Sequence, residues 1–291
     1  MLSGKVGEIM DGILLINKPI NMTSHDVVGK VRYLLKTKKV GHAGTLDPLA
    51  TGVLVLGINR GTKLLQFLTA DSKQYRATLK LGISTTTYDR EGEITQQVTF
   101  ANDVSLSQVK EALVSFLGDS MQIPPIYSAL KKNGKAYYEY AREGLELEIE
   151  PRPIHISKIE LVSFENDTII FDVEASKGTY VRSLCVDLAK KLGYPGHMTD
   201  LVRERSGEFE LSSCFNLEDV QNGNFKLMSL EEAMKSYPSI VIDDENIVYH
   251  GKKIKSDIDH QVAVYSTDGK LLAVYGPDGK GYLKSVRGLF S

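Results

Sequence analysis

The readable pattern of the chain begins with a short all-apolar run at residues 13–16, which predicts a strand covered on both faces and stopped by Asn17, Lys18 and Pro19. Thr23, with Asp26 three positions on, has the form of a capping box. Behind it Val27, Val28, Val31, Leu34 and Leu35 recur at helical spacing. A glycine-punctuated loop over residues 40–52 follows, with Gly41, Gly44 and Gly52 marking a special backbone path into an apolar strand at 53–56. Residues 75–81 alternate apolar with polar side chains and predict a strand, and turn signals over 84–94 predict a hairpin. Ser105 is placed to cap a helix that shows Val109, Leu113 and Phe116 on one face, with Gly118 as its stop.

The texture then changes. Residues 121–153 mix Pro124, Pro125, Pro151 and Pro153 with four tyrosines and with Lys131, Lys132, Lys135 and Arg142, and read as an inserted segment rather than a core element. Residues 154–164 and 168–175 read as paired strands about a turn at 165–167. Gly178 and Thr179 lead into a helix bearing Val181, Leu184, Leu188 and Leu192 and stopped by Gly193. Around residues 237–250 the pattern shifts to short apolar pieces at 261–265, 271–275 and 282–286, divided by Asp268-Gly269 and Asp278-Gly279 turns. This predicts a small, separate β-rich module. No internal repeat is visible, and strands beside amphipathic helices without a regular βαβ alternation predict an α+β fold with a mixed, largely antiparallel sheet.

Composition narrows the class. At 291 residues, 42% hydrophobic and 25% charged, the chain can bury a large core, which argues against collagen-like, disordered and membrane-spanning classes. No apolar run approaches the roughly 18 residues of a spanning helix, and the first twelve residues lack a signal-peptide core, so a cytoplasmic protein is expected. Two cysteines, Cys185 and Cys214, cannot supply a disulfide framework, and six scattered histidines show no zinc spacing. A metal-free mechanism is expected.

A net charge of −2 hides an asymmetry: residues 1–80 carry 12 Lys and Arg against 5 Asp and Glu, or +7, leaving −9 for the remainder. Lys30, Arg32, Lys36, Lys38 and Lys39 fall within ten residues that hold no acid, a density suited to a phosphate backbone or equally to a solvated helix face. The aromatics interleaved with cations in 121–153 can stack on bases and neutralise phosphate, or pack on the main body.

Motifs of common enzymes are missing. Residues 57–63 have a glancing likeness to a phosphate loop without its order, and no dinucleotide fingerprint, HExxH or Gly-x-Ser-x-Gly occurs. Asp47 stands out. An aspartate before proline commonly serves a turn, whereas one in a glycine-rich bend between a basic helix and a strand can be held rigidly toward a cleft.

Gly41-His-Ala-Gly-Thr-Leu-Asp-Pro-Leu-Ala-Thr-Gly52, preceded by Asn17-Lys-Pro19, closely resembles the catalytic loop of the TruB type of tRNA pseudouridine synthase. Further matches follow in order: Lys73-Gln-Tyr-Arg76, Ile123-Pro-Pro-Ile-Tyr-Ser-Ala-Leu-Lys131, Ala141-Arg-Glu-Gly144, Gly178-Thr-Tyr-Val-Arg182 and Leu201-Val-Arg203 near Ser206-Gly207. The likeness spans roughly residues 10–215.

The resemblance implies an isomerase that flips the T-loop uridine at tRNA position 55 out of its stack and converts it to pseudouridine, with no cofactor. It assigns Asp47 as the catalytic carboxylate acting at C1′, Arg182 as its ion-pair partner, and Tyr180 as an aid to removing the C5 proton. Among the substrate-site residues, Tyr75 stacks on the uracil, Leu201 walls the base pocket, and His42 contacts the flipped nucleotide. Lys18 supports the loop. Residues 1–238 are expected to form the synthase domain, with 121–153 as its RNA-gripping insertion, and residues 239–291 a PUA-like RNA-binding domain. The expected partner is the tRNA T arm, with no DNA, membrane or guide RNA, and the protein is expected to be a monomer. Alternatives are a non-catalytic tRNA-binding or folding protein on the same scaffold, a guide-dependent synthase, and an unrelated glycosidase.

Overall fold

In the computed structural model, which describes residues 11–69, 72–145 and 147–290, the apolar and alternating runs assemble into a 9-stranded mixed sheet. The expectation of a missing export signal falls mostly on residues 1–10, outside the described residues. The strands are β1 (Gly12–Lys18), β2 (Val40–Ala43), β3 (Thr51–Ile58), β4 (Ser72–Leu81), β5 (Gly118–Gln122), β6 (Arg152–Glu165), β7 (Thr168–Ser176), β8 (Gly196–Ser206) and β9 (Phe209–Glu210). Their order is β1-β3-β8-β4-β7-β6-β5, with β2 also on β3 and β9 on β8. The β3–β8 pair is parallel and the other pairs are antiparallel. The flanking helices are α1 (Ser24–Leu34), α2 (Leu106–Val114), α3 (Tyr137–Arg142) and α4 (Val181–Lys191).

Alternation explains why the first strand is apolar throughout. Leu14 and Ile16 of β1, with Leu54 and Leu56 of β3, face Val27, Val28 and Val31 of α1. Ile13, Leu15, Val53 and Val55 face the opposite way, onto Leu230, Met234 and the C-terminal residues Ala263, Leu271, Val274 and Leu289. Both faces are buried, so no polar alternation survives. In β4, by contrast, Tyr75, Ala77 and Leu79 face a core closed by α2 and α4, while Arg76 and its neighbours face outward.

The Thr23 capping box is present at the start of α1, and Ser105 caps α2. α2 is shorter than expected: it ends at Val114, and Gly118, at φ 89°, opens β5 instead of closing the helix. The segment following β5 leaves and re-enters the sheet at one place, because Gln122 pairs with Arg152. Between them lie a small hairpin, Lys131–Lys132 with Lys135–Ala136, and α3.

The C-terminal part forms a five-stranded sheet that adds Ser239–Ile242 and Ile254–Lys255 to the three expected strands. It is docked on the main sheet. Its apolar residues share one cluster with β1 and β3, and Arg60 and Lys63 donate to the carbonyls of Leu289 and Phe290 at 3.4 and 3.2 Å. Among the described residues no helix is long and apolar enough to cross a membrane.

Candidate active site

The loop between β2 and β3 carries Asp47, and its backbone is fastened on three sides. Ser24 Oγ accepts from Leu46 N–H at 2.9 Å, and Asn21 N–H donates to the Pro48 carbonyl at 2.9 Å. Lys18, with no solvent exposure, donates from Nζ to the carbonyls of Pro19, Met22 and Pro48 at 2.8, 2.5 and 3.1 Å. Arg203, also fully buried, donates from Nη2 to Gly44 O at 3.0 Å and from Nε to Val53 O at 2.7 Å. A loop so rich in glycine holds one shape because buried cations satisfy its carbonyls.

Asp47 is thereby presented to Arg182 in the first turn of α4. Arg182 Nε lies 2.9 Å from Asp47 Oδ2, and Nη2 donates to Oδ1 at 3.3 Å. The guanidinium is 5% exposed and the aspartate side chain 35% exposed, so the carboxylate is the member of the pair open to solvent. The same guanidinium donates to Thr87 O at 2.9 Å and to Tyr127 O at 2.9 Å, and lies 3.5 Å from the buried Asp89. Asp89 is held in turn by Thr87 Oγ1 at 2.5 Å and Glu91 N–H at 3.1 Å.

The electrostatic outcome differs from the simple expectation that Arg182 lowers the Asp47 pKa. Burial pushes the Asp47 carboxyl above its ordinary value, and the like charge of Asp89 adds to that, while Arg182 opposes both. The result is a carboxylate poised higher than a free aspartate yet held beside a permanent cation.

The other expected residues lie on β4, β8, β2 and at the entry to α4. Tyr75 of β4 lies opposite Arg203 of β8, and Leu201 lies opposite Ala77; both expected pocket residues are buried in the core cluster that also holds Leu46 and Leu49 of the loop. Burial raises the Tyr75 phenol. Tyr180 is the residue before α4, two before Arg182, and burial raises its phenol as well. His42 pairs with Leu56 on β2, edge-on to His25 with ring centroids 5.8 Å apart. Its Nδ1 is buried without a hydrogen-bond partner, and burial followed by the charges of His25 and Arg203 lowers its pKa, which keeps the ring neutral at pH 7. Lys18 is the exception. All its protons are spent beneath the loop, so it supports the site without lining it.

Asp89, Arg203 and Gln122 were not assigned roles from sequence. Arg203 was findable: it shares the period-2 face of Leu201, and a cation on the buried face of a strand needs a reason. Asp89 sits in a turn-rich stretch and carries no such signal. Among the described residues no group of three or more His, Cys, Asp and Glu side chains is placed to hold a metal ion.

The overall fold matches solved structures at low identity. A complex of Cbf5, Nop10 and Gar1 contains a chain that aligns with a TM-score of 0.73 at 22% identity, covering 96% of this chain and 85% of that one. A chain of an H/ACA RNP bound to a substrate RNA containing 2′-deoxyuridine aligns with a TM-score of 0.72, also at 22% identity and the same coverage. The site joins the Asp47 carboxylate of the β2–β3 loop to the buried Arg182 guanidinium. Residues 32–181 match the N-terminal domain of the TruB family pseudouridylate synthases, and residues 182–237 match the tRNA pseudouridylate synthase B C-terminal domain. Proteins named tRNA pseudouridine synthase B from Bacillus subtilis and Bacillus anthracis are 41% and 40% identical, covering 96% of this chain and 97% of theirs. The chain belongs to the TruB family.

Proposed function

We propose that this protein converts the T-loop uridine of tRNA, position 55, to pseudouridine, with Asp47 as the carboxylate acting at C1′. The observation that carries the reading is the Asp47–Arg182 pair: one rigid carboxylate open to solvent, oriented by a buried cation, on a loop whose shape is fixed from below. The near full-length relatives named tRNA pseudouridine synthase B support the substrate class.

The chemistry is balanced within the substrate. The N1–C1′ bond breaks as Asp47 stabilises or traps the electron-poor C1′, the base turns, and C5 bonds to C1′, releasing the carboxylate where it had bonded to that carbon. C5 then loses its proton and N1 gains one. Tyr180, whose phenol burial keeps protonated at neutral pH, takes the C5 proton only as it gives its own away. Tyr75 and Leu201 form the walls against which the flipped uracil rests, and His42, half-buried on β2, contacts the nucleotide.

Unstacking the base costs free energy that phosphate contacts must offset. Lys30, Arg32, Lys36, Lys38 and Lys39 are all exposed on α1 and its exit, and the 121–153 segment adds further cations, so these surfaces are assigned to the T arm. Residues 1–238 act as the synthase domain and 239–291 as a PUA-like module. The protein works as a cytoplasmic monomer without guide RNA, metal or cofactor.

The test is incubation of the purified chain, without metal or nucleotide, with an unmodified T-arm hairpin, followed by mapping of pseudouridine, with Asp47→Ala as control. Product at the T-loop uridine from the unmutated chain alone supports the reading. Binding without product by both proteins, on hairpin and on full tRNA, overturns it in favour of a non-catalytic RNA-binding protein.

A further inference from the structure

Gln122 stands at the end of β5, where the chain leaves the sheet for the inserted segment, and is 4% exposed. Its carboxamide meets the main chain of Tyr180 with both ends. Tyr180 N–H donates to Oε1 at 2.8 Å, and Nε2 donates to the Tyr180 carbonyl at 3.1 Å. Tyr180 lies between the end of β7 at Ser176 and the start of α4, in extended conformation at φ −101° and ψ 108°. No strand is paired with it there, so the glutamine side chain supplies the two bonds that a neighbouring strand would give.

The same short stretch continues the contact. Ile123 O accepts from Ser183 Oγ at 2.9 Å, and Tyr127 O accepts from Arg182 Nη2 at 2.9 Å. The Ser128 hydroxyl is buried and lies beside the Tyr180 phenol. The root of the insertion is therefore fastened to the start of α4 through Tyr180, Arg182 and Ser183. In the outer part of the insertion Tyr138 is exposed, and Lys132 Nζ and Lys135 Nζ bond within the segment, to Glu148 O and the Glu143 carboxylate.

We propose that Gln122 is a positioning residue for Tyr180, fixing the main chain from which the phenol approaches C5, so that the root of the insertion is part of the active site and not only a grip on RNA. The inference rests on the assignment of Tyr180 to proton removal given above. A two-point amide clamp fixes both position and orientation of the peptide planes around Tyr180, and an error of about 1 Å at a reacting group costs roughly 100-fold in rate. Methionine at this position keeps the volume and removes both bonds; glutamate keeps the acceptor and loses the donor.

The experiment compares Gln122→Met, Gln122→Glu and Tyr180→Phe on a T-arm hairpin carrying either uridine or 5-deuterouridine at the target position. Breakage of the C5–H bond is then read separately from RNA binding. For Gln122→Met the expected result is a fall in kcat of roughly 10- to 100-fold, RNA affinity within about twofold of the parent, and a deuterium isotope effect larger than the parent's. Gln122→Glu falls between the two and keeps one bond, so it answers the question should the methionine variant not fold. Weakened RNA binding with kcat intact, or a lower kcat with no change in isotope effect, overturns the proposal. Parent-like turnover by Tyr180→Phe would instead overturn the role of Tyr180 itself, whereas an inactive Tyr180→Phe beside unaffected Gln122 variants refutes the positioning alone.

Discussion

Lys18 Nζ donates to the Pro48 carbonyl at 3.1 Å, and through that bond the end of β1 holds the residue next to Asp47. The ammonium has no solvent exposure, and burial lowers its pKa to about 8, against the pull of Asp47 and Asp26 in the other direction. Lys18→Ala takes the ammonium from the carbonyls of Pro19 and Met22 and leaves that of Pro48 with Asn21 N–H alone, at a cost of about 1–3 kcal/mol. Turnover should fall while RNA affinity stays close to the parent's, measured by single-turnover kinetics and filter binding. The pH dependence has a definite sign. The folded pKa lies below the ordinary 10.5, so between about 8 and 10.5 the unfolded chain binds more protons and stability rises with pH. Urea denaturation across that window should show the parent gaining stability relative to Lys18→Ala as the pH rises.

Gly52→Ala is expected to be far more damaging than its size suggests. The residue has φ +103°, and an added Cβ would stand 2.2 Å from the Arg203 carbonyl oxygen and 2.7 Å from its nitrogen, across the parallel β3–β8 pair. Backbone cannot yield as a side-chain end can, so the strands must part and Arg203 loses its carbonyls. A loss of about 4 kcal/mol or more is expected, read as the shift in urea unfolding midpoint. Retention of parental stability would mean the two strands are not held at this spacing.

Much of this architecture was legible because local pattern and tertiary burial agree. The apolar run at 13–16 reads as a strand buried on both faces, and α1 and the C-terminal sheet do cover the two sides of β1. Gly193 closes α4 at φ 83° as expected. Gly118 misled, since a left-handed glycine marks a turn without saying which element it ends; here the helix had already stopped at Val114. Ser239–Ile242 and Ile254–Lys255 gave little signal because short edge strands carry little periodicity. In the site, the motif contains both Asp47 and Arg182, which the structure joins in an ion pair. Their fastening was not legible: the bonds of Gln122, Asp89 and Arg203 join segments 58 to 159 positions apart, and no spacing rule encodes such contacts.

The acid limb of the rate profile should report the environment of Asp47. Its carboxyl is pushed above the ordinary range by burial first and by Asp89 in the same direction, so the ionised form, and with it turnover, is lost at a higher pH than for a free aspartate. Asp89→Asn removes the like charge while an amide oxygen can still accept from Thr87 and Glu91. The limb should move to lower pH, and the plateau rate should drop because Arg182 loses one of its two carboxylate partners. Single-turnover rates between about pH 4 and 8 decide the matter. A limb that stays in place would show that Asp89 has no part in raising the Asp47 pKa.

Salt dependence separates the charged surface from the pocket. Lys36, Lys38 and Lys39 are exposed at the exit of α1, and Tyr33 on the same helix is 76% exposed with Lys30 5.9 Å above its ring. If the three lysines each meet a phosphate, replacing them together by alanine removes about three released counterions. The slope of log K against log salt should then become shallower by roughly 2 to 3. The rate of RNA already bound should not change, since none of the three touches the Asp47 loop. Tyr33→Ala makes the contrast. A stacking contact carries no counterion, so its loss should weaken binding by a factor that stays constant from low to high salt. Equal slopes for the triple variant and the parent would place the T arm elsewhere on the protein and leave the basic stretch a solvated helix face.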